Sequence, residues 1–334
     1  MASVHEHSTQ RRPIESASAW VTADLATDDD WLVVLDDAER DEIVTAARAA
    51  LARGETAASL TIAGFPLPRL QSRVSEWSTR LHAGRGFLLL RRFPIDVLDP
   101  LEIELGYVGL GLHLGTPVGQ NASGDTLTHI RDERLAETGP NVRLYRTNKR
   151  QDFHTDGADL VGLLCLHPAL RGGESRLASA AAVYNEVLRR RPDLLEVLYR
   201  PMCWDRNGEE RPGEPPYFQL APFFDLDGVP RIFYIGWYIR DAQRHEGVPP
   251  LTDDQRAAME LLESIANDPT VHVEMTFEPG DIQLLNNGRI LHAREAYDDA
   301  DDPDERRHLL RLWLAAHRFT SVEDGLRAGI NTAR

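Results

Sequence analysis

FHTDGADLVGLLCLHP (153–168) is the stretch whose reading decides the fold class. Apolar residues flank TDGAD, a cluster of turn formers, so the segment reads as strand, turn, strand. RGGESRLAS (171–179) continues as a turn into a further strand. HVEMTFEPGDIQLLNNGRILHARE (272–295) reads as strand, EPGD turn, strand, and HLLRLWLAAHR (308–318) as a final strand. GFLLLRRFPI (86–95) has the continuous apolar character of a strand covered on both faces and ends in a proline turn. RIFYIGWYIRD (231–241), dense in Ile, Phe, Tyr and Trp, predicts another strand.

Helices are fewer. DDAERDEIVTAARAALARG (36–54) has acidic residues in its first turn and Gly54 just past its end. AAVYNEVLRRRPDLLEVLY (181–199) is helical with a break at Pro192, and TDDQ opens a helix over 252–267 as a capping box. The glycine-rich LGYVGLGLHLGTPVGQNASGD (105–125) lacks the strand–GxGxxG–helix spacing of a dinucleotide site. Residues 1–30 are polar with little periodicity and are expected as a loosely docked arm. Residues 31–334 are expected to form one domain with an irregular, proline-rich insertion near 201–250. The economical architecture is mainly β with flanking helices (α+β), and a double-stranded β-helix, or jelly roll, fits the strand count.

The 334 residues carry a net charge of −16, which repels phosphate and argues against nucleic acid or an anionic membrane as partner. It leaves room for an anionic small molecule, because a local pair of arginines can overrule the global field. Cys165 and Cys203 have no metal-ligand spacing and build no disulfide framework, so a reducing cytoplasm is expected. No run of eighteen apolar residues is present, and the first residues hold no apolar stretch suited to a signal peptide.

The chemistry-bearing residues begin with His154 and Asp156. On a strand, positions i and i+2 share a face, so the two can grip one ion. His292, after the PGD turn, is the candidate third ligand. Two imidazoles and a carboxylate on one side of an ion leave positions for a chelating co-substrate and oxygen. The bland reading is two polar residues at a sheet edge. Arg307 and Arg311 share strand parity, and a guanidinium takes a carboxylate bidentately, as the far end of 2-oxoglutarate requires. The bland reading here is solvated arginines, or local salt bridges with the acidic loop DDADDPDE (298–305). Strand parity favours Arg307 over its neighbour Arg306.

GPNVRLYRTNKRQDFHTDGADLVGLLCLHPALRGGESRLAS, FEPGDIQLLNNGRILHAREAYDD and ERRHLLRLWLAAH together resemble the taurine dioxygenase superfamily, which includes the clavaminate synthase-like enzymes. The resemblance spans about residues 85–318 and keeps the order HxD, GG-[ST], PGD, N-x4-H, R-x3-R. It implies His154, Asp156 and His292 as ligands of Fe(2+), with 2-oxoglutarate and O2 as co-substrates. It implies Arg307 and Ser175 as partners of the distal carboxylate of 2-oxoglutarate, and Asn287 as a supporting residue beside the co-substrate. Arg311 would reach an acidic group of the substrate or brace the pocket, and Gln120 and Asn121 would lie near the substrate. Related halogenases replace the carboxylate with a small residue, so Asp156 implies oxygenation, by default hydroxylation of a small acidic or zwitterionic metabolite. A homodimer is one assembly the resemblance leaves open. The loop between His292 and Arg307 is longer here than in taurine dioxygenases.

Two other readings stay open on residues alone: a zinc-dependent hydrolase using the same ligands, and a non-catalytic jelly-roll binding protein. His113, His167, His272, His308 and His317 are expected to be structural. Glu295 is expected to pair at a strand end, Asp159 to point away from His154, and Tyr234, Trp237 and Tyr238 to be core or lid aromatics.

Overall fold

The computed structural model of the chain describes residues 11–121, 123–134, 143–226 and 228–320. Its larger sheet runs in the order Leu32–Val34, Phe87–Arg91, Ile282–Asn286, Leu160–His167, His308–Ala316, Gly115–Pro117, with Leu127–Ile130 also paired to His308–Ala316. The smaller sheet runs His272–Met275, Ser175–Ser179, Ile290–Arg294, Gln151–His154, antiparallel throughout.

Because side chains alternate across each strand, the two sheets make three apolar layers. Phe87, Val161, Leu285 and Trp313 of the larger sheet meet Leu177, Met275 and Ile290 of the smaller one, forming the inner layer. The other face of the larger sheet, through Leu88, Leu90, Leu164 and Leu312, joins a core with helices Asp37–Ala52, Gln71–Ala83 and Pro100–Leu112. The outer face of the smaller sheet, through Phe153, Ala178 and Leu291, joins one with helices Ala180–Arg190, Pro192–Leu198 and Asp253–Ala266. This is the jelly-roll sandwich, with helices on both outer faces.

The local punctuation acts as its chemistry dictates. The side chain of Asp36 accepts from Glu39 N at the start of one helix, and Thr252 and Gln255 form the reciprocal cap of another. Pro192 ends one helix and opens the next.

Several elements depart from the sequence reading. The 272–295 stretch makes three strands rather than two: the chain leaves the larger sheet at Asn286 and enters the smaller one at Ile290. Asn286-Asn287-Gly288-Arg289 marks the crossing, but the apolar runs on either side of it are both buried and nothing local shows that they belong to different sheets. RIFYIGWYIRD divides between strand Val229–Ile232 and helix Gly236–Asp241. Past Tyr234 the described residues offer the chain a single bridge, between His154 and Ile235, as strand partner, so propensity gives way to context. The glycine-rich 105–125 begins inside a buried helix, where Gly106, Gly109 and Gly111 let Phe93, Phe65 and Leu312 press on the backbone. The region expected as irregular carries two hairpins, Met202–Asp205 with Tyr217–Leu220 and Phe223–Leu226 with Val229–Ile232.

Residues 11–30 are also docked more firmly than their polarity suggests; residues 1–10 lie outside the described residues. Trp20 is buried in the inner layer and donates to Arg85 O, and Ile14 exchanges two hydrogen bonds with Asn185. Among the described residues no helix is long and apolar enough to cross a membrane.

Candidate active site

His154 is the last residue of its strand, and His292 lies opposite it in register on Ile290–Arg294, with ring centroids 4.1 Å apart. Asp156 is not on the strand. It sits in the turn beyond it, so strand parity is not what aims it. The turn itself is held from two sides. Asn287 accepts from Asp156 N at 2.8 Å and donates through its amide to the carbonyls of Asp156 and Ala158. Thr155 N donates to Tyr234 O, and Thr155 Oγ1 accepts from Tyr234 N.

His154 Nε2 lies 4.0 Å from Asp156 Oδ1, and His292 Nε2 3.8 Å from Asp156 Oδ2. Among the described residues these three form the one group of three ligand-type side chains whose donor atoms all fall within 4.8 Å of one another. His154 Nδ1 is 2.8 Å from Asp152 O, which places its proton there; Nε2, whose lone pair meets Gln151 Nε2 at 3.0 Å, is the atom left to turn to an ion. Burial pushes both histidines below the ordinary imidazole range, His292 to about 3, so both stand neutral, as ligation demands. Burial works against ionisation of Asp156, but the Arg311 charge, helped by the Trp313 hydrogen bond, overcomes it and holds the carboxyl below its usual range. Trp313 Nε1 donates to Oδ2 at 3.0 Å and Arg311 Nη1 approaches it at 3.4 Å. Oδ1 is left to face His154. Neutral imidazoles and an ionised carboxylate, converging at the wall of a cavity, fit a divalent iron with open coordination positions.

Two cavities meet at this group. The larger, about 340 Å³, lies on the side of Trp237, Tyr238 and Arg143; the smaller on the side of Ser175, Arg294 and Arg307. His154, Asp156 and Arg311 line both.

The other expected site residues separate as follows. Arg307 is 4% exposed and enters the smaller cavity, whereas Arg306 turns to the carbonyls of Ala300 and Asp301 in the acidic loop. Ser175 lines the same cavity, its hydroxyl donating to Gln283. Arg311 is braced between the rings of Tyr145 and Trp313 and donates to Gln120 Oε1 at 2.7 Å. Gln120 lines the larger cavity. Asn121 does not; its side chain closes its own loop onto Asp125. Asn287, expected beside the co-substrate, lines neither cavity and serves the Asp156 turn instead, because it sits where the chain crosses between sheets.

Tyr234 is core, but Trp237 and Tyr238 line the larger cavity, Trp237 with its ring 5.1 Å from that of His154. Glu295 pairs with Arg176, and Asp159 accepts from Ala316 N, away from the ligands. His113, His272 and His317 each bond a backbone carbonyl, and His308 bonds His129, with His167 opposite it in register. Sequence reasoning missed Trp313 and Arg294. The signal was there: each lies two residues beyond a recognised site residue on the same strand face.

Comparisons with known proteins agree with this geometry. The model of the family described as Taurine catabolism dioxygenase TauD, TfdA family matches residues 49–313. FR-33289 synthase of Streptomyces rubellomurinus is 36% identical over 318 residues, covering 94% of this chain and 92% of that protein. Asparagine oxygenase, solved with Fe(II), 3-hydroxyasparagine and succinate, superposes with a TM-score of 0.65 at 16% identity, covering 85% of this chain and 93% of that one. The non-heme iron oxygenase OrfP, solved with Fe and alpha-ketoglutaric acid, gives 0.64 at 17%, covering 87% and 98%. This chain belongs to the Taurine catabolism dioxygenase TauD, TfdA family and is an iron(II)- and 2-oxoglutarate-dependent oxygenase.

Proposed function

We propose that the chain hydroxylates a small acidic or zwitterionic metabolite, releasing succinate and CO2. The observation that carries this is the position of His154 and Asp156 at the junction of two cavities of different chemistry, with His292 on the side of the smaller one. Iron bound there, with 2-oxoglutarate and oxygen, supplies the oxidising chemistry. The chain's own residues bind, orient and exclude water. Arg307, and Ser175 once its hydroxyl turns from Gln283, would hold the distal carboxylate of 2-oxoglutarate in the narrow cavity, leaving its keto-acid end for the metal. Arg311 keeps Asp156 ionised and separates the two compartments.

Charges of both signs line the larger cavity, with Arg143 and Arg206 near Asp205, Glu209 and Asp241, between aromatic walls. That mixture suits a zwitterion better than a neutral apolar molecule. The asparagine oxygenase neighbour, whose bound hydroxyasparagine is zwitterionic, supports the same class. The zinc hydrolase and binding-protein readings have no use for a separate arginine-lined cavity behind the ligands. A cytoplasmic setting and a small-molecule partner, without nucleic acid or membrane, remain part of this proposal.

The test is succinate formation from 2-oxoglutarate by anaerobically prepared protein given iron(II) and then air, across a panel of amino acids, sulfonates and phosphate esters. Slow substrate-free turnover that His154→Ala and Asp156→Ala abolish, accelerated by one member of the panel, is expected. No iron-dependent succinate from the wild type would sink the proposal.

A further inference from the structure

Arg294 is the residue in the smaller cavity that nothing above employs. It lies two positions after His292 on the same strand face and is 7% exposed. Its Nη2 is engaged with the carbonyls of Leu144 and Lys149. Its Nε and Nη1 are buried without a hydrogen-bond partner, and so is Nη1 of Arg307. Both guanidinium groups sit 5.0 Å from the ring centroid of Tyr297.

Burying a cation with unmet donors is costly unless an anion completes it. If Arg294 served only to hold the 144–149 segment, one edge would suffice and the other would be better replaced by an apolar group. The edge that is engaged has a consequence of its own. The segment it grips also carries Tyr145 and adjoins Arg143, both of which line the larger cavity. The same segment is tied to Tyr297 by Tyr297 N to Asn148 O and Asn148 Nδ2 to Tyr297 O.

We infer that Arg294 is a second co-substrate arginine: its free edge meets the distal carboxylate of 2-oxoglutarate together with Arg307. Its other edge links co-substrate binding to the 143–150 wall of the substrate cavity. It is a positioning residue in both tasks. The inference rests on 2-oxoglutarate occupying the smaller cavity, and the wild-type control below examines that separately.

The experiment is a titration of the visible iron–2-oxo acid chelate, without oxygen, for wild type, Arg294→Gln, Arg294→Lys and Arg307→Gln. Two probes are used: 2-oxoglutarate, and 2-oxobutyrate, which chelates in the same way but has no distal carboxylate. A chelate in the wild type establishes the co-substrate. Arg294→Gln is then expected to weaken 2-oxoglutarate by about tenfold or more, the scale of a lost charge-assisted contact, while leaving 2-oxobutyrate unchanged. Arg294→Lys should restore part of the loss. Equal weakening of both acids, or unchanged 2-oxoglutarate affinity, would overturn the assignment and leave Arg294 a brace. Hydrogen exchange over 143–150 reads the second half: 2-oxoglutarate should slow it in the wild type and not in Arg294→Gln. Exchange indifferent to 2-oxoglutarate in the wild type would overturn the link.

Discussion

Asp156 shows how much a single ligand depends on residues that touch no ion. Trp313 occupies its Oδ2, and Asn287 fixes the backbone that carries it. Partners of this kind typically alter metal affinity by about ten- to hundredfold when removed. Trp313→Phe keeps most of the inner-layer packing and loses the N–H. It should therefore raise the iron dissociation constant about tenfold, read by anaerobic titration, with the urea midpoint little changed. Asn287→Ala strips three buried bonds at once and should cost about 2–4 kcal/mol of stability in urea unfolding, with iron binding weakened as the turn loosens. A urea midpoint unchanged by Asn287→Ala would mean that the turn holds itself. At this scale the ligands were legible from type and order, and their supports were not. Asn287 is 131 residues from Asp156 along the chain, and nothing local announces the clasp.

The helix Pro100–Leu112 states the case at the level of elements. Three glycines in thirteen residues would weaken an isolated helix, because glycine is a poor helix former. Here they are spaces. A Cβ at Gly109 would lie 2.4 Å from the ring of Phe65, which is fully buried. Gly109→Ala gains about 1 kcal/mol of helix propensity but meets an overpacking cost of about 1–3 kcal/mol with a rigid aromatic as the obstacle. The net outcome expected is a lower melting temperature by circular dichroism; a higher one would show that Phe65 can move aside cheaply. Caps behaved in the opposite way. Asp36 and Thr252 act within one turn of themselves, so the sequence around them suffices to read them.

For the whole molecule, several buried or half-buried histidines make acid the weak direction. Burial, then the neighbouring His129, pushes His308 down to about 4, and burial lowers His272 as well. In the unfolded chain each takes a proton near the ordinary value of about 6.5. A lowered histidine therefore favours the folded state above that value, and the advantage is lost as pH falls below it toward 4. The melting temperature should decline over that window. In His308→Gln the decline should be shallower, because one group that protonates only on unfolding is gone. An identical slope in the variant would show that His308 accepts its proton without unfolding.

Periodicity, turn formers, caps and the order of a few motifs are properties of neighbouring residues, and they pointed to the strand-rich sandwich, to the helices near 37–52, 180–198 and 253–266, and to three candidate metal-ligand positions; the helices Gln71–Ala83 and Pro100–Leu112 were not read from them. Only the tertiary structure decided where strands change sheets, since the crossing at 286–290 leaves both flanking runs equally apolar. It alone decided that the aromatic stretch after Tyr234 coils to line a cavity, and that Arg294 and Arg307 share one. Those outcomes depend on partners tens to hundreds of residues away, and a side chain's environment is written in its partners rather than in its neighbours.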